Sequence, residues 1–230
     1  MSVEILAGQA GSVLNRTQAF LLKYRSQMLM CLFFALLVAS PVADSHPYIG
    51  FVLTILLETA LLVGCGYMAS GRILRLVIYP LAVLWVLAHV AQMRLGEGWH
   101  VSPYIGLALS CSIVWGILSR FNSKTRISAG AISEAIISYF IIAVAFSQLY
   151  WILDRHIAHC FNSPVPPNQQ SEYLYFSLST ITTVGYGDIE PVNHYVRYVA
   201  ASEAVIGIFY IAVVISRLVA GYRVEGKVDT

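Results

Sequence analysis

Six stretches of the chain, about 26–43, 49–69, 73–92, 101–119, 131–153 and 196–220, are apolar runs with few charged side chains. A bilayer's hydrocarbon core takes about 20 residues of helix to cross, and a helix satisfies its backbone polar groups internally there. The runs therefore predict an all-α membrane protein with six transmembrane helices. Composition agrees, since 58% of residues are hydrophobic and only 11% are charged. Soluble domains carry about 25% charged residues, and so few charges cannot solvate the exterior of a water-soluble fold. The joints hold breaker residues: Pro41 and Pro47, Ser70-Gly71, Gly96 and Gly98, Asn122-Ser123, and Pro164 with Pro166-Pro167. No internal repeat relates two halves. The first run is read as a retained helix and not a cleaved signal. The region before it is long, and Pro41 stands where a small residue should precede a cleavage point.

Basic residues orient the runs. Eleven fall on one side: Arg16, Lys23 and Arg25, then Arg72 and Arg75, then Arg120, Lys124 and Arg126, then Arg217, Arg223 and Lys227. Three fall on the other, Arg94, Arg155 and Arg197. Both termini are expected in the cytoplasm of a multi-pass cell (inner) membrane protein in contact with lipids, with 154–195 at the outer face. A net charge of +2 without a Lys/Arg run argues against a nucleic-acid partner. Cys31, Cys65 and Cys111 sit in apolar runs and Cys160 stands alone in a polar stretch, so no disulfide framework is expected. His156 and His159 flank Cys160, but a structural zinc takes four ligands and none of the spacings supplies them. Neither a resident cofactor nor an enzymatic nucleophile–base set is expected.

The stretch from Ser171 to Pro191 reads SEYLYFSLSTITTVGYGDIEP. Its first part, 171–182, is too short to span and suits a re-entrant helix, with Ser171 as N-cap and Glu172 in the first turn. Such a helix is tolerated in a membrane only inside protein or against a water-filled cavity. Its C-terminal end carries the negative end of the helix dipole, which favours a nearby cation. Thr182-Thr183-Val184-Gly185-Tyr186-Gly187-Asp188 follows. A pore that strips water from a cation must offer replacement oxygens in successive rings. Consecutive carbonyls point to one side only if some residues take positive φ, and Gly185 and Gly187 stand at alternate positions where that costs nothing. An apolar turn with two glycines would explain Gly-Tyr-Gly, but not the whole string with its short helix, flanking spans and outward side.

At every position this string resembles the signature of potassium channels, and the resemblance covers about 131–220. It implies a potassium-selective channel that passes K+ passively. The carbonyls of Thr183, Val184, Gly185 and Tyr186, with the Thr183 hydroxyl, would line the ion path, and Gly187 would complete the loop. Val184 and Tyr186 would point into surrounding protein. Thr182 and Asp188 would flank the loop, Asp188 behind the outer mouth, where Tyr175 is placed to donate a hydrogen bond to it. One chain holds one loop and a ring needs four, so the expected unit is a homotetramer. The resemblance divides 131–220 into an outer helix 131–153, an extracellular turret 154–170, a pore helix 171–182, a selectivity filter 183–188 and an inner helix 196–220. Before it lie a cytoplasmic segment, 1–25, and a four-helix region, 26–130; after it lies a short tail, 221–230.

Glu203, an ionisable residue inside the last span, is read as a brace that hydrogen-bonds Ser177 or Ser179 and not as an ion ligand. Gly207 is either a gating hinge or a residue that permits close helix packing. Many relatives carry a pair of tryptophans in the short helix that brace the filter tyrosine. Here Tyr175 and Phe176 stand instead, and Phe176 has no donor, so Thr180 becomes the candidate partner of Tyr186.

Voltage sensing needs about three to four charges per subunit moving through the field. The run 101–119 has no Arg or Lys, and 73–92 has only Arg75 at its inner end, which excludes a voltage-sensing helix there. In that respect the chain resembles small bacterial six-helix channels without a sensor. Glu58 and His89 are two further ionisable residues inside the runs, read as a hydrogen-bonded pair, as a proton sensor, or as separately satisfied within the bundle. About ten residues follow the last run, and no regulatory domain is expected on them. The alternatives to a selective potassium channel are a weakly selective cation channel, and a transporter or membrane scaffold in which the signature is only structural.

Overall fold

The computed structural model describes residues 27–35, 37–38, 72–95, 101–121, 129–162 and 170–216. The second expected span, with Glu58 and Cys65, lies outside the described residues. So do 1–26, 217–230 and most of the basic residues used to orient the chain.

Helix α1 covers 27–35 and continues at 37–38. Helix α2 is Arg72–Leu95, α3 is Ser102–Phe121 and α4 is Ala129–His156. Each packs an apolar stripe at helical spacing, the i, i+4, i+7 pattern that puts residues on one face. The stripes are Leu29 and Phe33 on α1; Ile78, Ala82 and Trp85 on α2; Leu109, Ile113 and Ile117 on α3; and Ile137 and Ile141 on α4. They meet in one buried cluster, with Phe33 stacked on Phe140 at 4.5 Å. Gly106 of α3 sits at the closest approach, where a Cβ would lie 3.1 Å from Trp85 Nε1 and 3.2 Å from the Gln148 amide. His89 packs on Trp85 with ring centroids 4.4 Å apart.

Among the described residues, three helical segments are long and apolar enough to cross a membrane: Ser102–Ser119, Ile132–His156 and His194–Ile215. In α2 the apolar part is the shorter Leu76–Gln92, which contains Pro80. Of six expected spans, the described residues thus hold three full ones, one shorter apolar helix in α2, and part of the first.

Helix α4 runs to His156, three residues beyond its expected end, because Tyr150 and Trp151 on its last turns are buried in a second cluster. The chain then turns at His159, at φ 55, and forms strand β1, Phe161–Asn162. After α5 (Gln170–Ile181) and the loop that follows, β2 (Glu190–Pro191) pairs antiparallel with β1, Phe161 opposite Pro191 and Asn162 opposite Glu190. The Cys160 carbonyl extends this clamp by accepting from Val192 N at 2.9 Å and Asn193 N at 3.3 Å. Cys160 is accordingly not part of a polar loop. Its side chain is fully buried among Tyr150, Phe176 and Val196, and its thiol donates to the carbonyls of Ile157 (3.3 Å) and Leu153 (3.5 Å). Burial, with the charge of Asp154 adding, pushes that thiol up to about 11, so it is a closed structural group and not a reactive one.

Helix α6, His194–Phe209, begins at the Asn193 N-cap, whose Oδ1 accepts from Tyr195 N at 2.9 Å. From Tyr210 to Ile215 it widens into a π-helix.

Candidate ion-conduction site

Helix α5 is 12 residues long, about 18 Å at 1.5 Å per residue, and cannot cross a bilayer. It starts one residue earlier than expected, so Ser171 lies in its first turn and is not its N-cap. One face is buried through Tyr173, Phe176, Ser177 and Ile181. Phe176 packs edge-on to Tyr150 at 4.9 Å and to Phe161 at 5.2 Å, in the cluster beneath the β-clamp. Tyr173 donates to Asp154 Oδ2 at 2.6 Å and anchors α5 to the end of α4.

The loop hangs from the C-terminal end of α5 by its N–H groups. Thr183 N donates to Thr180 O (2.9 Å), while Val184 N and Gly185 N both donate to Ser179 O (2.9 and 3.1 Å). Thr182 Oγ1 folds back onto Leu178 O at 2.6 Å. The backbone alternates in hand. Thr183, Gly185 and Gly187 have φ of 60, 55 and 78, while Val184 and Tyr186 between them do not enter the positive region. Alternation of this kind turns successive peptide planes the same way, whereas an extended strand would point them alternately to either side. With the N–H groups drawn back to α5, no donor among the described residues reaches the carbonyls of Thr183, Val184, Gly185 or Tyr186. All residues from Thr182 to Asp188 are exposed in the single chain.

The glycines were expected to carry the positive φ, but Thr183 shares it, at a cost of order 1–3 kcal/mol for a non-glycine residue. Nothing lies within 4 Å of a Cβ placed on Gly185, so its requirement is one of backbone hand and not of space.

The C-terminal edge of the loop is held by Tyr175, which donates from Oη to Asp188 Oδ2 at 2.7 Å, while Asp188 Oδ1 accepts from Ile189 N at 3.1 Å. The bond to Asp188 holds the Tyr175 hydroxyl above the usual phenol range, at about 12. Tyr175 also stacks on Tyr186, with centroids 6.1 Å apart and planes within 10°. Thr180 does not partner Tyr186 through its hydroxyl. It contributes its carbonyl to Thr183 N, and the Tyr186 ring is 71% exposed. Val184 is likewise 54% exposed, so the described residues do not supply the protein that these two side chains would pack into.

Behind the loop, Glu203 of α6 is fully buried between α4 and α5. It shares a hydrogen bond with Ser177 (Oγ to Oε1, 2.5 Å) and accepts from Tyr150 Oη at Oε2, also at 2.5 Å. Ser179 instead turns to its own helix and donates to Phe176 O at 2.9 Å. Gly207 packs against the last turn of α5, where a Cβ would lie 2.3 Å from Ile181 O and 2.8 Å from Ile181 Cγ1. Of its two readings, this contact favours close packing; the irregularity in α6 lies farther along, at Tyr210–Ile215. Three hydroxyls on apolar helices were not foreseen as braces. Tyr139 Oη donates to Ile181 O (2.8 Å), Tyr210 Oη to Ala135 O (2.9 Å), and Tyr210 also bonds Ser138. Their signal was available: a buried tyrosine generally finds a partner for its hydroxyl.

Among the described residues no group of three or more His, Cys, Asp and Glu stands together as a metal site. His156 instead shares a 2.5 Å hydrogen bond with Tyr104 Oη of α3. The distinctive chemistry of the region is therefore a row of unengaged main-chain oxygens beside the negative end of a short helix, an arrangement suited to a cation that has shed its water.

Comparison with known proteins agrees on the region. Residues 134–222 match a family model described as "Ion channel". The chain is 27% identical over 117 residues to Protein LctB of Bacillus caldotenax, covering 48% of this chain and 84% of that one. It is 32% identical over 100 residues to Protein LctB of Geobacillus stearothermophilus, covering 41% of this chain and 74% of that one. No solved structure matches the chain at a significant level.

Proposed function

The chain belongs to the ion-channel family, and from that premise we propose that it is a potassium-selective channel formed by four copies of itself. The observation that carries this reading is the 183–187 backbone: the N–H groups of Thr183, Val184 and Gly185 are tied to α5, the φ values alternate in sign, and the carbonyls of Thr183 to Tyr186 are left without donors among the described residues. Four such rows around one axis would give successive rings of oxygens, the arrangement that replaces the hydration shell of K+. The carbonyls of Thr183, Val184, Gly185 and Tyr186 are the proposed ligands, and K+ is the permeant ion and not a resident cofactor. Support for several copies comes from exposure. The loop side chains are open to solvent, and so are Val205, Ile208, Phe209 and Val213 of α6, which a membrane helix would bury against a neighbour or lipid. A cyclic assembly in the inner membrane, with the loop at the outer face and both termini cytoplasmic, uses all these surfaces.

The decisive experiment is reconstitution of the purified protein in planar bilayers with K+ on one side and Na+ on the other. A reversal potential displaced strongly toward the K+ equilibrium value is expected. A potential near zero would support a weakly selective cation channel instead. Absence of unitary current, with substrate-coupled flux in its place, would leave the string a structural element only.

A further inference from the structure

We infer that Glu203 serves as a neutral carboxylic acid, a positioning residue whose own proton closes a hydrogen-bond relay between the helix carrying the loop and the two long helices around it. The inference rests on hydrogen counting. Four groups lie in series: Tyr150 Oη is 2.5 Å from Glu203 Oε2, Glu203 Oε1 is 2.5 Å from Ser177 Oγ, and Ser177 Oγ is 2.7 Å from Ala143 O. Three such short contacts need three hydrogens. Tyr150 and Ser177 hold one each, and the Ala143 carbonyl has none. With Glu203 ionised, the single Ser177 hydrogen would have to serve two oxygens, leaving one pair in repulsive contact without a proton between them. With the third hydrogen on Oε1, each contact becomes an ordinary bond. Tyr150 donates to Oε2, Oε1 donates to Ser177, and Ser177 donates to Ala143 O.

The surroundings agree. Glu203, Ser177 and Tyr150 are each 0% exposed. Among the described residues, the titratable groups facing the carboxyl are Tyr150 and, farther off, Tyr139, both on α4; α5 faces it with Ser177, and no cation pairs with it. An unpaired carboxylate buried in that position would carry a large desolvation cost, while a neutral acid with both oxygens bonded does not. The relay starts and ends on α4, passes through α6, and grips α5 two residues before Ser179, whose carbonyl holds the loop. That the relay positions an ion filter rests on the function proposed above; the protonation itself does not.

The test is infrared difference spectroscopy on the reconstituted wild type against Glu203→Gln at neutral pH, joined to single-channel recording. The wild type should show a protonated-carboxyl C=O band that the variant lacks. Ser177→Ala, which removes the acceptor of the Glu203 proton, should shift that band to higher frequency while leaving it present. Glu203→Gln keeps an acceptor for Tyr150 and a donor for Ser177, so its unitary K+ conductance should stay within about twofold of wild type. Absence of the band, a band that Ser177→Ala leaves unmoved, or a conductance loss of about tenfold or more in Glu203→Gln would each overturn the inference. If the variant does not assemble, the band and its shift in Ser177→Ala, read with isotope-labelled glutamate, decide it. A protein showing the band but carrying no K+ current would sink the proposed function and leave the protonation standing.

Discussion

Two glycines of the site do different work, and the difference is measurable. Gly185 has open space around a notional Cβ but sits at φ 55, whereas Gly207 has ordinary helical surroundings and a carbonyl oxygen 2.3 Å from where its Cβ would be. Gly207→Ala must therefore push the end of α5 away from α6. Overpacking of this kind costs about 1–3 kcal/mol, so the variant's thermal unfolding should fall clearly below wild type, and an unchanged transition would refute the contact. Tyr175→Phe removes the bond to Asp188 at an exposed edge but keeps the stack on Tyr186. Global stability should hardly change, while currents under sustained recording should decline faster than in wild type. The choice of Ser177 over Ser179 as the partner of Glu203 was not legible in the sequence. The two are 200° apart on the helix at 100° per residue, and only the packing of α5 decides which faces α6. Thr183 at positive φ was hidden for a related reason, since a threonine by itself gives no sign of the left-handed region; the bonds back to Ser179 and Thr180 impose it.

At the scale of elements, apolar run length located the long helices closely, because the cost of an unsatisfied backbone in lipid leaves little choice. Their ends were less legible. Helix α4 extends to His156 because aromatic packing, not hydropathy, decides its last turn, and the two-residue β-clamp carries no sequence signal of its own. Cys160 looked like a lone polar-loop cysteine until the clamp buried it. Helix-to-helix spacing yields a graded prediction. Gly106→Ala brings a Cβ to 3.1 Å from Trp85 Nε1 and 3.2 Å from the Gln148 amide, which are side-chain ends able to yield a little. It should destabilise in the same direction as Gly207→Ala but by less, at the low end of about 1–3 kcal/mol, with a smaller drop in melting temperature. Equal losses from the two variants would mean that side-chain relief at the α2–α3–α4 contact is not available.

For the molecule as a whole, α3 carries no Arg or Lys from Ser102 to Ser119. Steep voltage sensing needs about three to four charges per subunit, so conductance measured in bilayers should vary only weakly with potential; a steep conductance–voltage relation would show that charge moves elsewhere. Sequence alone determined that this is a membrane protein, where its long apolar helices lie among the described residues, and where the short segment with alternating glycines sits between them. Those are consequences of side-chain chemistry and spacing, and they need no knowledge of what touches what. Tertiary structure alone decided that the loop's N–H groups are anchored to Ser179 and Thr180, that Gly207 abuts Ile181, and that one buried carboxyl joins three helices. Such matters depend on the rotation of one helix against another, and helical phase is set by packing between segments distant in the chain.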